Sequence, residues 1–435
     1  MKIGDCTSIA IGGTQVSKAY VGSTLVWPTS PTPPQRDYSK EYLTFEIVSG
    51  GTLEFGYYTY EGTAFTRTVY YSLDNGETWT SWDNTPPSAV AGYSVSISVQ
   101  AGDIVLVKGN NSTYGAQYKS TLFGGTAFFN LYGNIMSLIY GDNFDGQTAL
   151  TSDYTFRNMF ASSVNWLKSN VISARNLVLP SESLTRECYR GLFLRCASLV
   201  NAPELPAYTL ARECYAQMFY GCTSLVNAPS LPSQRMEYLC YNSMFEGCTS
   251  LVNAPRLPSW ILNQECYEAM FKDCTSLVNA PELNSTNLVI GCYSSMFAGC
   301  TSLVTAPELP ATTLLGYCYS NMFAGCTSLV TAPELPATTL ANHCYETMFY
   351  GCTSLETAPE LPATALTSYC YNAMFKGCTN LNYIKCIATT FASYSTNNWV
   401  EGVSATGTFV KDPTATWPTT EYDGVPSGWT VVNNE

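Results

Sequence analysis

The chain has 435 residues, room for several domains, and a net charge of −13 with only 12 % of its residues charged. This acidic, weakly charged balance argues against binding nucleic acid or an anionic membrane through general electrostatics. No run approaches the roughly eighteen apolar residues of a membrane-spanning helix. Residues 1–28 have no apolar signal core or cleavage motif and read instead as short strands, Ser8–Ile11, Val16–Val21 and Leu25–Trp27, with a turn at Gly12-Gly13. Residues 29–37, including TSPTPPQR, are a proline-rich, semi-rigid linker. From 38 to 150 come β-branched and aromatic runs (YLTFEIVSG, TLEFGYYTY, RTVYYSLD, SVSISV, DIVLVKG) separated by Gly, Asn and Asp, which predict a β-sandwich. The run TAFFNLYGNIMSLIYGD predicts further strands docking the sandwich to the C-terminal part of the chain.

The remainder is governed by a fixed period. A unit close to CYxxMFxGCTSL occurs eight times, with first cysteines at Cys188, Cys214, Cys240, Cys266, Cys292, Cys318, Cys344 and Cys370, each 26 residues after the last. Such a period signals a solenoid, in which each repeat buries its apolar face against its neighbours. Cys344, Tyr345, Met348 and Phe349 stand at offsets 0, 1, 4 and 5, the stripe of a short amphipathic helix, with Gly351 as its C-terminal cap. Ser328–Ala332 predicts a short strand that stops at Pro333, because a proline column cannot sit inside a hydrogen-bonded ladder. Residues 151–187 form a leading cap or degenerate repeat, 188–380 the solenoid, and 381–435 a β cap. In that cap Leu381–Cys386 lacks the proline and can accept Thr408–Val410 and Trp429–Val432.

Sixteen of the eighteen cysteines belong to the repeats. The two in each repeat are eight residues apart, about 12 Å along a helix and too far for a disulfide. There is no CxxC pair, and His343 is the only histidine, so zinc chemistry has little to use. The thiols read as buried small hydrophobes suited to a reducing compartment. Ser72–Trp79 fits an Asp-box, which predicts a β-hairpin. Asp142 and Asp145 read as a turn with exposed carboxylates, since they lack an EF-hand run. No catalytic residue, cofactor or metal is predicted. Glu204, Glu282, Glu308, Glu334 and Glu360 share one repeat position and must face water, a cation or a basic partner. Copy-to-copy variation at Tyr220, Glu246, Lys272, Tyr350 and Lys376, and at Asn242-Ser243, Glu268-Ala269 and Glu346-Thr347, predicts exposed positions on an outward helix face. Tyr220, Glu246, Lys272, Tyr350, Lys376, Glu308, Glu334 and Glu360 are therefore the candidate partner-binding surface.

GCTSL after a Met-Phe pair, with LPATTL before the next unit, resembles the BspA-like leucine-rich repeats of gut Bacteroidetes and their phages, over residues 176–386. Residues 41–146 resemble the β domain that precedes such repeats, and 387–435 the segment that closes them. VxKAYVGSTLVWP is similar to N-terminal modules of phage virion and tail-appendage proteins, including those of crAss-like phages. The two resemblances imply a multidomain, non-catalytic virion protein, a tail fibre, receptor-binding protein or head appendage. Val16, Tyr20, Val21, Leu25 and Trp27 would anchor it to other virion proteins, and the solenoid would meet a host glycan or protein. Such a protein could assemble as a homo-oligomer and would not enter a membrane. The alternative is a bacterial surface adhesin. A glycan-active enzyme would rest on the Asp-box alone.

Overall fold

The computed structural model describes residues 36–59, 64–86, 91–162, 167–257, 261–417 and 422–435, together with four strands before them. The chain divides into two compact units, Met1–Tyr38 and Ser39–Glu435.

In the first unit β1 (Ile9–Ile11) pairs antiparallel with β2 (Thr14–Val16), and β3 (Ala19–Val21) with β4 (Thr24–Trp27). Of the strand expected over Val16–Val21, Val16 lies in β2 and Ala19–Val21 form β3, while Ser17 and Lys18 lie outside the described residues. The expected Gly12-Gly13 turn and most of the proline-rich linker lie outside the described residues.

The second unit begins with two sheets. The strands are β5 (Leu43–Ser49), β6 (Gly51–Thr59), β7 (Thr68–Ser72), β8 (Thr80–Asp83), β9 (Gly92–Val99), β10 (Ile104–Gly109), β11 (Gly115–Ala116), β12 (Lys119–Gly125) and β13 (Phe128–Asn134), with β14 (Val171–Val178) arriving later. One sheet has the order β14-β13-β5-β10-β7-β8, the other β11-β12-β6-β9. Alternation puts Leu43, Phe45 and Ile47 of β5 inside and leaves Glu46 and Val48 outside. Rings from the two sheets meet in the core: Phe45 lies 5.2 Å from Phe123, and Phe55 5.7 Å from Trp82. The expectation of strands throughout TAFFNLYGNIMSLIYGD holds for β13, but Ser137–Tyr140 is a single helical turn, α1.

Every pairing in the two sheets is antiparallel except β13 with β14, which is parallel. From β14 the parallel pairing continues into the repeats as single bridges: Ser173 to Asn201, Asn201 to Asn227, Asn227 to Asn253 and Asn253 to Asn279, then Thr305 to Thr331, Thr357 and Tyr383. The strand predicted in each repeat is thus reduced to one bridge. It stops where the proline column begins, since proline has no amide to donate.

The predicted helix is absent. Around Cys344 the amides of Glu346, Met348, Tyr350 and Cys352 bond carbonyls three residues back, at 3.4, 3.1, 3.1 and 3.0 Å. The amides between them leave the coil: Tyr345 donates to Cys370, Thr347 to Asn372, Phe349 to Met374 and Gly351 to Lys376, at 3.1, 2.8, 3.0 and 2.8 Å. Every fourth residue is left-handed, with φ of 60° at His343, 52° at Thr347 and 70° at Gly351. An α-helix has neither feature. The segment is a chain of overlapping β-turns whose alternate amides bind the next coil. The four-residue turn unit places Cys344, Tyr345, Met348 and Phe349 inward, the same offsets a helix would use.

These inward residues make continuous columns. Tyr189, Tyr215, Tyr241, Tyr267, Tyr293, Tyr319 and Tyr345 stack at 5.8–6.1 Å between neighbours. The phenylalanines from Phe193 to Phe375 stack at 5.6–5.8 Å. Trp399 ends both columns and packs on Trp417 at 5.3 Å, its indole N–H donating to the Gly424 carbonyl at 2.9 Å. At the exit β16 (Tyr383–Cys386), β18 (Thr408–Lys411) and β19 (Thr430–Asn433) form a parallel sheet, while β15 (Ala365–Leu366) pairs with β17 (Thr390–Phe391). Tyr383 lies opposite Thr408, and Thr408 opposite Thr430.

Candidate functional site

Covalent chemistry would start with the cysteines, and all seventeen described are free and buried. Burial pushes the thiols of Cys196, Cys326 and Cys378 up to about 12 and that of Cys370 to about 11, so none is a thiolate at neutral pH. The second column is more than apolar filling. Each thiol from Cys222 to Cys378 donates to a phenylalanine carbonyl of the preceding coil, as Cys326 does to Phe297 at 3.1 Å. Among the described residues no group of His, Cys, Asp and Glu could hold a metal ion.

The Asp-box is the connection between β7 and β8. Ser72 Oγ donates to Asp74 Oδ1 at 2.7 Å, the Thr78 amide donates to the same oxygen at 2.9 Å, and Asn75 and Gly76 are left-handed. The Thr78 hydroxyl and amide and Ser72, all donating to the carboxylate, hold Asp74 down at about 2. Asp142 accepts from the Lys108 ammonium at 2.6 Å and the Tyr42 hydroxyl at 2.8 Å, and Lys108 lies 4.0 Å over the Trp79 ring. The carboxylates of both motifs are thus occupied by contacts within the β domain.

The eight candidate partner-binding residues fall on two separate columns. Tyr220, Glu246, Lys272, Tyr350 and Lys376 follow one another along the turn ladder. Tyr350 is exposed, but Tyr220 is half-buried beneath the Arg195 guanidinium, and Glu246 is 13 % exposed and bonded to Lys272 at 2.9 Å. Lys376 pairs with Glu401 at 2.7 Å. The expectation of a uniformly exposed face fails at Ser243 and Ala269, which are buried. Left-handed backbone and close coil stacking turn these side chains onto their neighbours, whereas a helix would have aimed them outward. Asn242 accordingly donates to Glu268 and Asn372 to Glu346, at 2.9 and 2.8 Å.

Glu308, Glu334 and Glu360 lie on the other column, beside the bridges, and are exposed. Glu360 pairs with Lys385 of the following coil at 3.0 Å. Beside this row runs an apolar stripe that variation between copies did not single out: Val200, Val226, Val252, Val278, Val304 and Val330, from 38 % to 51 % exposed. Its signal was the Leu-Val pair shared by these six coils, whose leucine is buried and whose valine must then point away. Clefts open along this face, among them ones of about 370, 300 and 330 Å³ lined by residues from Ala306 to Pro362, and one of about 240 Å³ beside Val200 and Glu204.

Two further clusters were not foreseen. Tyr317, His343, Tyr369 and Tyr394 stack on the surface with centroids 4.5, 4.7 and 5.1 Å apart, all four left-handed. At the first coils buried Glu187 meets Arg157, Arg186 and Arg190 at 3.0, 3.3 and 3.5 Å, and Glu213 meets Arg190 and Arg212. The anchor candidates lie in β2 (Val16), β3 (Tyr20, Val21) and β4 (Leu25, Trp27).

Stacked 26-residue coils with constant inward columns and variable outward ones define a repeat protein. The sequence matches the family described as BspA type leucine rich repeat region, in six copies, over residues 152–304 and 294–398, and the chain belongs to that family. No curated protein and no solved structure matches it. Among the described residues no helix is long and apolar enough to cross a membrane.

Proposed function

We propose that the chain is a non-catalytic attachment protein of the cell surface, whose repeats form a solenoid presenting binding columns to a host protein or glycan. The observation that carries this reading is the division within each coil. Thiols, phenols and rings are sealed inside, while valine, glutamate and variable polar residues repeat outside at one-coil intervals. BspA type repeats are associated with surface adhesion and protein interaction, which supports the same placement. Particle attachment through residues 1–28 draws no support from the family match, which lies within residues 152–398. The test is twofold. Antibody against the full chain should label intact producing cells, and labelled full chain should bind host cells saturably. Labelling only after lysis, together with no saturable binding, would refute the reading.

A further inference from the structure

The valine and glutamate columns share one face, and that face has a one-sided charge. No lysine or arginine occurs between Lys272 and Lys376, a stretch that carries Glu282, Glu308, Glu334, Glu356 and Glu360, all exposed. Glu356 takes the position that valine holds in the earlier coils. Among the described residues Glu308 and Glu334 have no cationic partner, and each stands on the rim of a cleft whose walls are proline, alanine and leucine. Val304 and Val330 flank the clefts at 47 % and 51 % exposure.

We propose that this face, from Val304 to Pro362, is the docking site for a lysine- and arginine-bearing polypeptide segment laid along the coils. The proposal rests on the attachment reading and names its partner. Charge and shape both select this occupant. A basic side chain combines an aliphatic stem, which fits a proline-walled cleft, with a cationic head, which reaches the carboxylate on the rim. The fold already contains one such contact: Lys385, presented one coil further on, donates to Glu360 at 3.0 Å. Coils about 4.8 Å apart space Glu308, Glu334 and Glu360 over about 10 Å, which an extended segment spans in about three residues. A run of four or five residues bearing two or three basic side chains therefore fits. A neutral glycan is the poorer match, because the lining offers no aromatic ring and its carboxylates would stay uncompensated.

The test measures binding of labelled octalysine to the full chain by anisotropy, at low and at physiological salt. The variant Glu308→Gln with Glu334→Gln should weaken binding at least fivefold. The control Glu77→Gln with Glu182→Gln removes equal charge at exposed positions elsewhere and should stay within twofold. Val330→Ser should weaken the binding that survives physiological salt. Equal losses in the two double variants, or face-dependent binding of a neutral glucan in place of the peptide, would overturn the proposal. The same variants are then applied to host cells. Undiminished cell binding by Glu308→Gln with Glu334→Gln sinks the docking site and leaves attachment standing, whereas absence of cell binding by the unaltered chain sinks attachment itself.

Discussion

Replacing Ser295 by glycine should stabilise the chain. Ser295 sits in the turn ladder at φ 56°, half-buried, where its Cβ crowds the following carbonyl. That conformation costs a non-glycine residue about 1–2 kcal/mol, and glycine returns about 0.5–1 kcal/mol as extra chain entropy lost on folding. The net gain is about 0.5–1 kcal/mol. Gln217, at φ 57° three coils earlier, should behave alike, and the pair should add, since such distant sites share no contact. Gly325→Ala is the converse. Its new methyl would meet nothing nearer than the Gly299 backbone at 3.7 Å, so the expected loss of about 1–2 kcal/mol is conformational alone. Native-state hydrogen exchange at the Phe297 and Ala298 amides reads the change locally. Were the segment helical, Ser295→Gly would cost about 0.5 kcal/mol or more; a destabilised Ser295→Gly protein would refute the turn ladder.

The buried thiols predict alkaline lability. Their folded values lie above that of a free thiol, so the native state keeps protons that the unfolded chain gives up. Stability is therefore full below about pH 8.5 and falls as pH rises toward the folded values, such as about 12 for Cys326, by up to about 1.4 kcal/mol per pH unit for each thiol. A melting temperature unchanged between pH 7 and 10.5 in the presence of reductant would contradict this. Phe297→Ala removes a fully buried ring stacked 5.8 Å from both Phe271 and Phe323, and should cost about 3–5 kcal/mol in urea titration, against under about 1 kcal/mol for exposed Tyr350→Ala. Asp74, held down at about 2, contributes to the β7–β8 connection above about pH 4, and that contribution is lost as pH falls toward 2. The Thr78 amide resonance should titrate over that range and stop doing so in Asp74→Asn.

The repeat register, the inward columns and the closing β16–β18–β19 sheet were legible because each depends on which residues are apolar and where proline falls. The helix was misread for a physical reason. Over eight residues, a four-residue turn period and a 3.6-residue helical period place the same side chains inward, and only φ separates them. The non-glycine residues at the left-handed positions gave no warning, because Ser295, Thr347 and His343 are ordinary in a helix. On the candidate surface the glutamate row was legible as a repeated carboxylate. The valine stripe escaped notice because constancy suggests burial, yet a bridge residue's neighbour faces outward however little it varies. The pairing of Lys272 with Glu246 joins residues one full coil apart, which is visible only once the coils are stacked.

The alternate amides that join coil to coil also determine how the molecule would yield to a pull. Tension along the stacking direction falls on the inter-coil bonds, one coil boundary after another, while the turns inside each coil are not in the line of force. Each boundary that parts releases 26 residues, about 90 Å of slack chain, and the remaining coils keep their packing. A chain held at both ends would thus lengthen in steps, with Trp399 and Trp417 covering the final coil at the exit.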